Sequence, residues 1–174
     1  NTSKLDLAKA AATAALSRLS DTDRVGLWTF TTNLSTPDGI TNHAAPIAAL
    51  GENRGPLTDT IAALTPLDGT PLYAAIRSAA EEMKTTADPR DINAVVVLTD
   101  GRNEYTDDQN LADLLQQVSD DTAQDGVRIF SIAYGPDSDL PVLKQISEAA
   151  RAAAYDAQNP ASIGKVFDDV LSNF

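Results

Sequence analysis

The chain is 174 residues long, enough for one domain with a buried core, and sets 13 Lys and Arg against 25 Asp and Glu for a formal charge of -12. That charge repels phosphate backbones and anionic lipid and so argues against nucleic acid as a partner, and no apolar run approaches the roughly 20 residues of a membrane span. The absence of Cys excludes disulfides and thiolate chemistry, and a single histidine, His43, excludes a histidine-rich zinc site.

Ser3 followed by Asp6 has the form of a capping box, and Leu5, Ala8, Ala12, Ala15, Leu16 and Leu19 recur on one face, which predicts a first helix. Asp21-Thr22-Asp23 turns into a mostly apolar strand over Arg24–Phe30. Residues 31–55 are rich in Asn, Thr, Gly and Pro, with a weaker apolar stretch at 44–50 that fits an edge strand. From Pro56 a helical pattern returns through Leu57, Ile61 and Leu64, then breaks at Thr65-Pro66 and Asp68-Gly69.

A longer helix is predicted next, with Thr70 at the N-cap, Pro71 at the first helical position, and Leu72, Ala75, Ile76, Ala79 and Met83 as its buried stripe. Residues 93–99 (NAVVVLT) form an unbroken β-branched run typical of a central parallel strand, ending on Asp100-Gly101. There follow a helix at 111–118, a strand at 127–134, a helix after Pro141 built on Leu143, Ile146 and Ala150, and a short strand at 151–155. Asn159-Pro160 caps a final helix whose face is Ile163, Val166, Phe167, Val170 and Phe174. The alternation predicts an α/β fold, doubly wound, with a mostly parallel sheet and helices on both faces. One departure stands out: the chain opens with a helix where such a fold opens with a strand.

Ligands of an open α/β sheet gather beyond the carboxyl ends of its strands. Asp100 lies at such an end, and Gly101 lets the backbone turn so that the carboxylate faces the crevice. Each candidate has a plainer reading, Asp100 as the start of an Asx turn and Thr70 as an ordinary N-cap. Taken together, a hydroxyl and a carboxylate on loops of one sheet edge are hard oxygen ligands suited to Mg2+ or Mn2+. Glu104, Asp107 and Asp108 read as solvated loop acids, Trp28 and Phe30 as core, Tyr73 as core or rim, and His43 as a surface or loop residue. Neither a phosphate loop nor a nucleophile elbow occurs.

The segments LDLAKAA, DRVGLWTF, DGTPLYAAI and VVVLTDGRNE resemble successive segments of von Willebrand factor A (vWA) domains, over nearly the whole chain. The resemblance implies a Rossmann-like fold and a metal-ion-dependent adhesion site with ligands from three loops: an Asp-x-Ser-x-Ser motif after the first strand, a Thr before a helix and an Asp after the fourth strand. Thr70 in GTPLY matches the second loop and Asp100 in LTDG the third, whereas Asp-x-Ser-x-Ser occurs nowhere. Asn1-Thr2-Ser3 stands where the segment just after that motif belongs. The resemblance thus implies a single vWA-like domain over residues 1–174, incomplete at its N-terminus and lacking a first, central strand between the strands at 24–30 and 93–99.

Functionally, the resemblance implies a protein-binding module and no enzyme. Mg2+ (or Mn2+ or Ca2+), held weakly by Thr70 and Asp100 alone, would bridge to an acidic residue of a protein partner. LWTFTTN and LTDGRNE further resemble bacterial secreted proteins that join a solute-binding-like domain to a vWA domain, which implies an extracellular or cell-surface setting. Two alternatives remain open. One is a cytosolic vWA assembly subunit acting with an ATPase; the other is a Mg2+-dependent phosphate ester hydrolase, although Asp100 is followed by Gly-Arg-Asn-Glu and not by the second carboxylate that chemistry uses.

Overall fold

The computed structural model describes residues 3–157, 159 and 162–173. Asn1, Thr2, Pro160 and Phe174, to which the sequence reading assigned places, lie outside the described residues. The first helix, α1 (Lys4–Leu16), starts on the expected capping box: the Asp6 amide donates to Ser3 Oγ at 3.1 Å and the Ser3 amide donates to Asp6 Oδ2 at 3.2 Å. Strand β1 (Arg24–Phe30) has the expected bounds. Strand β2 (Thr41–Ala49) begins before the apolar stretch at 44–50 and pairs antiparallel with β1.

Helix α2 (Leu50–Ala62) corrects the expectation of a helix beginning at Pro56, which lies inside it. Gly51, Gly55 and Pro56 weaken local helix propensity, but Leu50, Leu57 and Ile61 are 0%, 4% and 3% exposed against α1 and β1. Each such burial is worth about 2 kcal/mol, more than the propensity lost at one glycine. Helix α3 (Leu72–Thr86) is followed by β3 (Ala94–Thr99), α4 (Leu111–Asp125) and β4 (Arg128–Tyr134). α4 runs past the predicted end at 118 because Asp121 and Thr122 continue its buried face, and it stops at Gly126. Then come α5 (Leu140–Ala149), β5 (Ala154–Ala157) and α6 (Ile163–Leu171).

Strands β3, β4 and β5 form a parallel sheet in that order, with helices on both faces. Alternation along β4 divides its side chains: Ile129 and Ala133 pack with α3, α4 and α5, whereas Phe130 and Ile132 pack with α1 and α6. Between the first pair, Ser131 is fully buried and accepts a 2.9 Å hydrogen bond from Ser147 of α5, so the core carries no orphaned hydroxyl there.

Strands β1 and β2 form a separate two-stranded sheet. Among the described residues no strand pairing joins β1 to β3; helices hold the halves together. α1 places Ala8 and Ala11 on the β4 side and Leu16 on the β1 side, while Phe30 of β1 reaches the α3 cluster. The predicted central strand β3 is therefore an edge. Only Val97 and Thr99 on it are buried, although its run of valines is of the kind covered on both faces. The discontinuity lies between β1 and β3, where the family resemblance places a first strand.

Candidate metal centre

Asp100 follows the last residue of β3, and Thr99 sets the geometry of the turn. Thr99 is 4% exposed, and its Oγ1 accepts a 3.2 Å hydrogen bond from the Gly101 amide. The Asx-turn reading of Asp100 is thus corrected: Thr99 performs that role, and the Asp100 carboxylate forms no backbone hydrogen bond among the described residues. Its partner is an ammonium, Lys4 Nζ, 3.6 Å from Oδ2.

Thr70 is likewise released from the duty its position predicts. α3 begins at Leu72 with Pro71 as its cap residue, and no side chain caps it. Proline fixes φ at the helix entrance, and the Thr70 carbonyl, not its hydroxyl, accepts from the Leu72 amide at 2.8 Å and the Glu104 amide at 3.0 Å. Loop 100–104 is thereby tied to the start of α3. A Cβ added to Gly101 would stand 2.9 Å from Thr70 Oγ1, so glycine is what permits this approach of the two predicted ligand loops.

The loop is held further along as well. Asn103 Oδ1 accepts from the Tyr73 amide, an otherwise unpaired first-turn donor of α3, at 3.2 Å, and Asn103 Nδ2 donates to the Asp108 carbonyl at 2.7 Å. Asp108 is no solvated loop acid, because Arg77 Nε donates to its Oδ2 at 2.7 Å and both side chains are mostly buried. Glu104 and Asp107 are exposed, as expected. Tyr73 is core at 8% exposed; burial first, then the charges of Asp139 and Asp108, raise its phenol above the ordinary value. Trp28 is half-buried and stacks on exposed His43, which lies in β2 and not in a loop.

Three residues at the site escaped the sequence reading: Lys4, Tyr134 and Gly135. Tyr134 ends β4 beside Asp100, and burial first and that carboxylate second push its phenol up to about 12. Gly135 has φ 89°, and a Cβ on it would lie 3.0 Å from Lys4 Nζ and 3.7 Å from Asp100 Cβ. The carboxyl-end rule that selected Asp100 applies equally to the end of β4. For Lys4 the signal was a cation in the first turn of a helix, where the dipole disfavours it.

The donor set is one carboxylate and one hydroxyl, both hard oxygens, and an organic cation already stands against the carboxylate. These features fit a divalent ion as two of its ligands. No cluster of three or more Asp, Glu, His or Cys placed to hold a metal exists among the described residues. Ser3 is engaged in the α1 cap through its own hydroxyl.

The sequence model of the von Willebrand factor type A domain matches residues 1–169. No curated protein matches the chain. Among solved structures, a von Willebrand factor type A protein from Catenulispora acidiphila superposes with TM-score 0.72 at 20% identity, over 95% of this chain and 37% of that one. Proximal thread matrix protein 1 from the mussel byssus, described with a zinc-occupied MIDAS motif, gives TM-score 0.75 at 12% identity over 98% of this chain and 43% of that one. An aerotolerance-related membrane protein from Bacteroides fragilis gives TM-score 0.69 at 16% identity, over 98% and 89%. The chain spans less than half the length of the first two, and identities this low establish the fold alone.

Proposed function

We propose that this chain, which belongs to the von Willebrand factor type A domain family, is a protein-binding module whose divalent cation rests on Asp100 and Thr70 and bridges to an acidic residue of a partner. The observation that carries the reading is the release of both side chains from local duty: Thr99 holds the turn after β3 and Pro71 opens α3, leaving one carboxylate and one hydroxyl on adjoining loops. A bound cation supplies a positive centre with open coordination positions, which lets an acidic protein attract a carboxylate it would otherwise repel. A cation at the corresponding motif of proximal thread matrix protein 1 supports this reading by analogy of fold.

The ligands are oxygens, so Mg2+, Mn2+ or Ca2+ suits them, and two protein ligands make for weak binding. Extracellular Ca2+ modules operate with Kd values of about 10^-4 to 10^-3 M. That regime suits the extracellular or cell-surface setting, which belongs to the same proposal. The same proposal assigns binding without turnover, with Asp100 paired to Lys4 in the absence of an ion.

The test is a Mn2+ titration followed by electron paramagnetic resonance on the parent chain, Asp100→Ala and Thr70→Ala. The expected result is weak binding by the parent, none by Asp100→Ala, and a several-fold loss in Thr70→Ala. Unchanged binding by Asp100→Ala, or none by the parent, would overturn the assignment.

A further inference from the structure

The metal reading leaves Lys4 unexplained. It is the first residue of α1, where the partial positive charge of the helix end makes a cation unfavourable, and its side chain is 43% exposed and free to extend into water. Its ammonium instead turns toward the end of the sheet and stands 3.6 Å from Asp100 Oδ2, beyond a normal hydrogen bond but well within ion-pair range. The end of β4 leaves room for it there: a side chain at position 135 would meet Lys4 Nζ at 3.0 Å, and Gly135 has none. The acid in the first turn of α1, Asp6, is already engaged by Ser3.

We infer that Lys4 is a tethered counter-cation of the site, its ammonium neutralising Asp100 in the metal-free domain and withdrawing when a divalent ion takes the carboxylate. The inference rests on the metal-binding reading above. Its physical basis is competition of charges: an ammonium and a divalent ion cannot both lie against one carboxylate without repulsion, so the ion must displace Lys4. Lysine suits that part because its compact, well-hydrated charge sits on a flexible four-carbon stem, which swings into water at little cost. The loose distance and the exposure of both partners keep the contact reversible. Lys4 therefore raises the cation concentration at which the site loads and leaves the empty site without a bare carboxylate.

The experiment is a Mn2+ titration at low ionic strength of the parent chain, Lys4→Met, Lys4→Arg and Asp100→Ala. Met keeps the apolar stem and removes the charge, whereas Arg keeps the charge. Lys4→Met is expected to bind Mn2+ about fivefold more tightly than the parent, the scale of a partly exposed charge pair, with Lys4→Arg close to the parent. The gain should shrink in 0.5 M salt, on the order of the screening expected there. Because removal of a cation from a helix N-terminus is favourable, Lys4→Met is expected to fold, and its circular dichroism and thermal midpoint check this. Equal or weaker binding by folded Lys4→Met, with Asp100→Ala binding none, overturns the role of Lys4 and leaves the metal site standing. Equal gains in Lys4→Met and Lys4→Arg also overturn it, since charge would then not be the cause. Absence of Mn2+ binding in every variant removes the metal reading and this inference together.

Discussion

Asp38 organises the loop between β1 and β2. Burial acts to raise its carboxyl, but hydrogen bonds from the Thr41 hydroxyl and amide, the Ile40 amide and the Thr36 hydroxyl outweigh that and hold it at about 2 against an ordinary value of 3.8. A folded value below the ordinary one means that the carboxylate stabilises the fold above pH 3.8 and that this stabilisation is lost as pH falls from there toward 2. Asp38→Asn is therefore expected to unfold at lower urea than the parent at pH 7, with the difference closing across that acidic window. A difference that stays constant from pH 7 to 2 would show that the ionised form has no special part. Asp100 presents the opposite arrangement, a carboxylate spared from such backbone bonds, and this contrast separates the acid that builds a loop from the acid available to a ligand.

Between elements, the contact of α1 with α2 depends on Arg54. α1 has no basic residue in its last turn, and Arg54 of α2 supplies the missing cation from outside. Its guanidinium donates to the carbonyls of Leu16 and Leu19, the latter at 3.0 Å, and to Asp21 Oδ1 at 3.1 Å. Its side chain is 32% exposed while Asp21 is 79% exposed, so the carbonyl contacts outweigh the ion pair. Arg54→Met is expected to lower the unfolding free energy by about 1.5–3 kcal/mol, the range for hydrogen bonds that involve a charged group. Asp21→Asn should cost far less; equal losses in a urea series would assign the stabilisation to the ion pair. The same contact explains why α2 starts at Leu50: a helix that clamps another gains from its partner what Gly51, Gly55 and Pro56 withhold.

For the whole molecule, the division into two sheets leaves β1 and β3 each with one edge unpaired among the described residues, whereas β4 is paired on both sides. Alternate amides of β3 should exchange with solvent at least about tenfold faster than those of β4, because a bond made only to water gives no protection; equal protection along β3 and β4 would mean that the free edge is covered. Such edges are also the surfaces through which chains associate. The periods of the sequence determined most of the elements, the parallel order and the selection of Thr70 and Asp100, because 3.6- and 2-residue repeats and the sheet-edge rule act through neighbours in the chain. Only the tertiary structure decided that Thr99 and Pro71 relieve the two candidate ligands, that Asp108 belongs to Arg77, that α2 begins at Leu50 and that Lys4 turns onto Asp100. Each of those outcomes is a contest between a local preference and a partner far away in sequence, and burial and charge in the assembled fold determine which prevails.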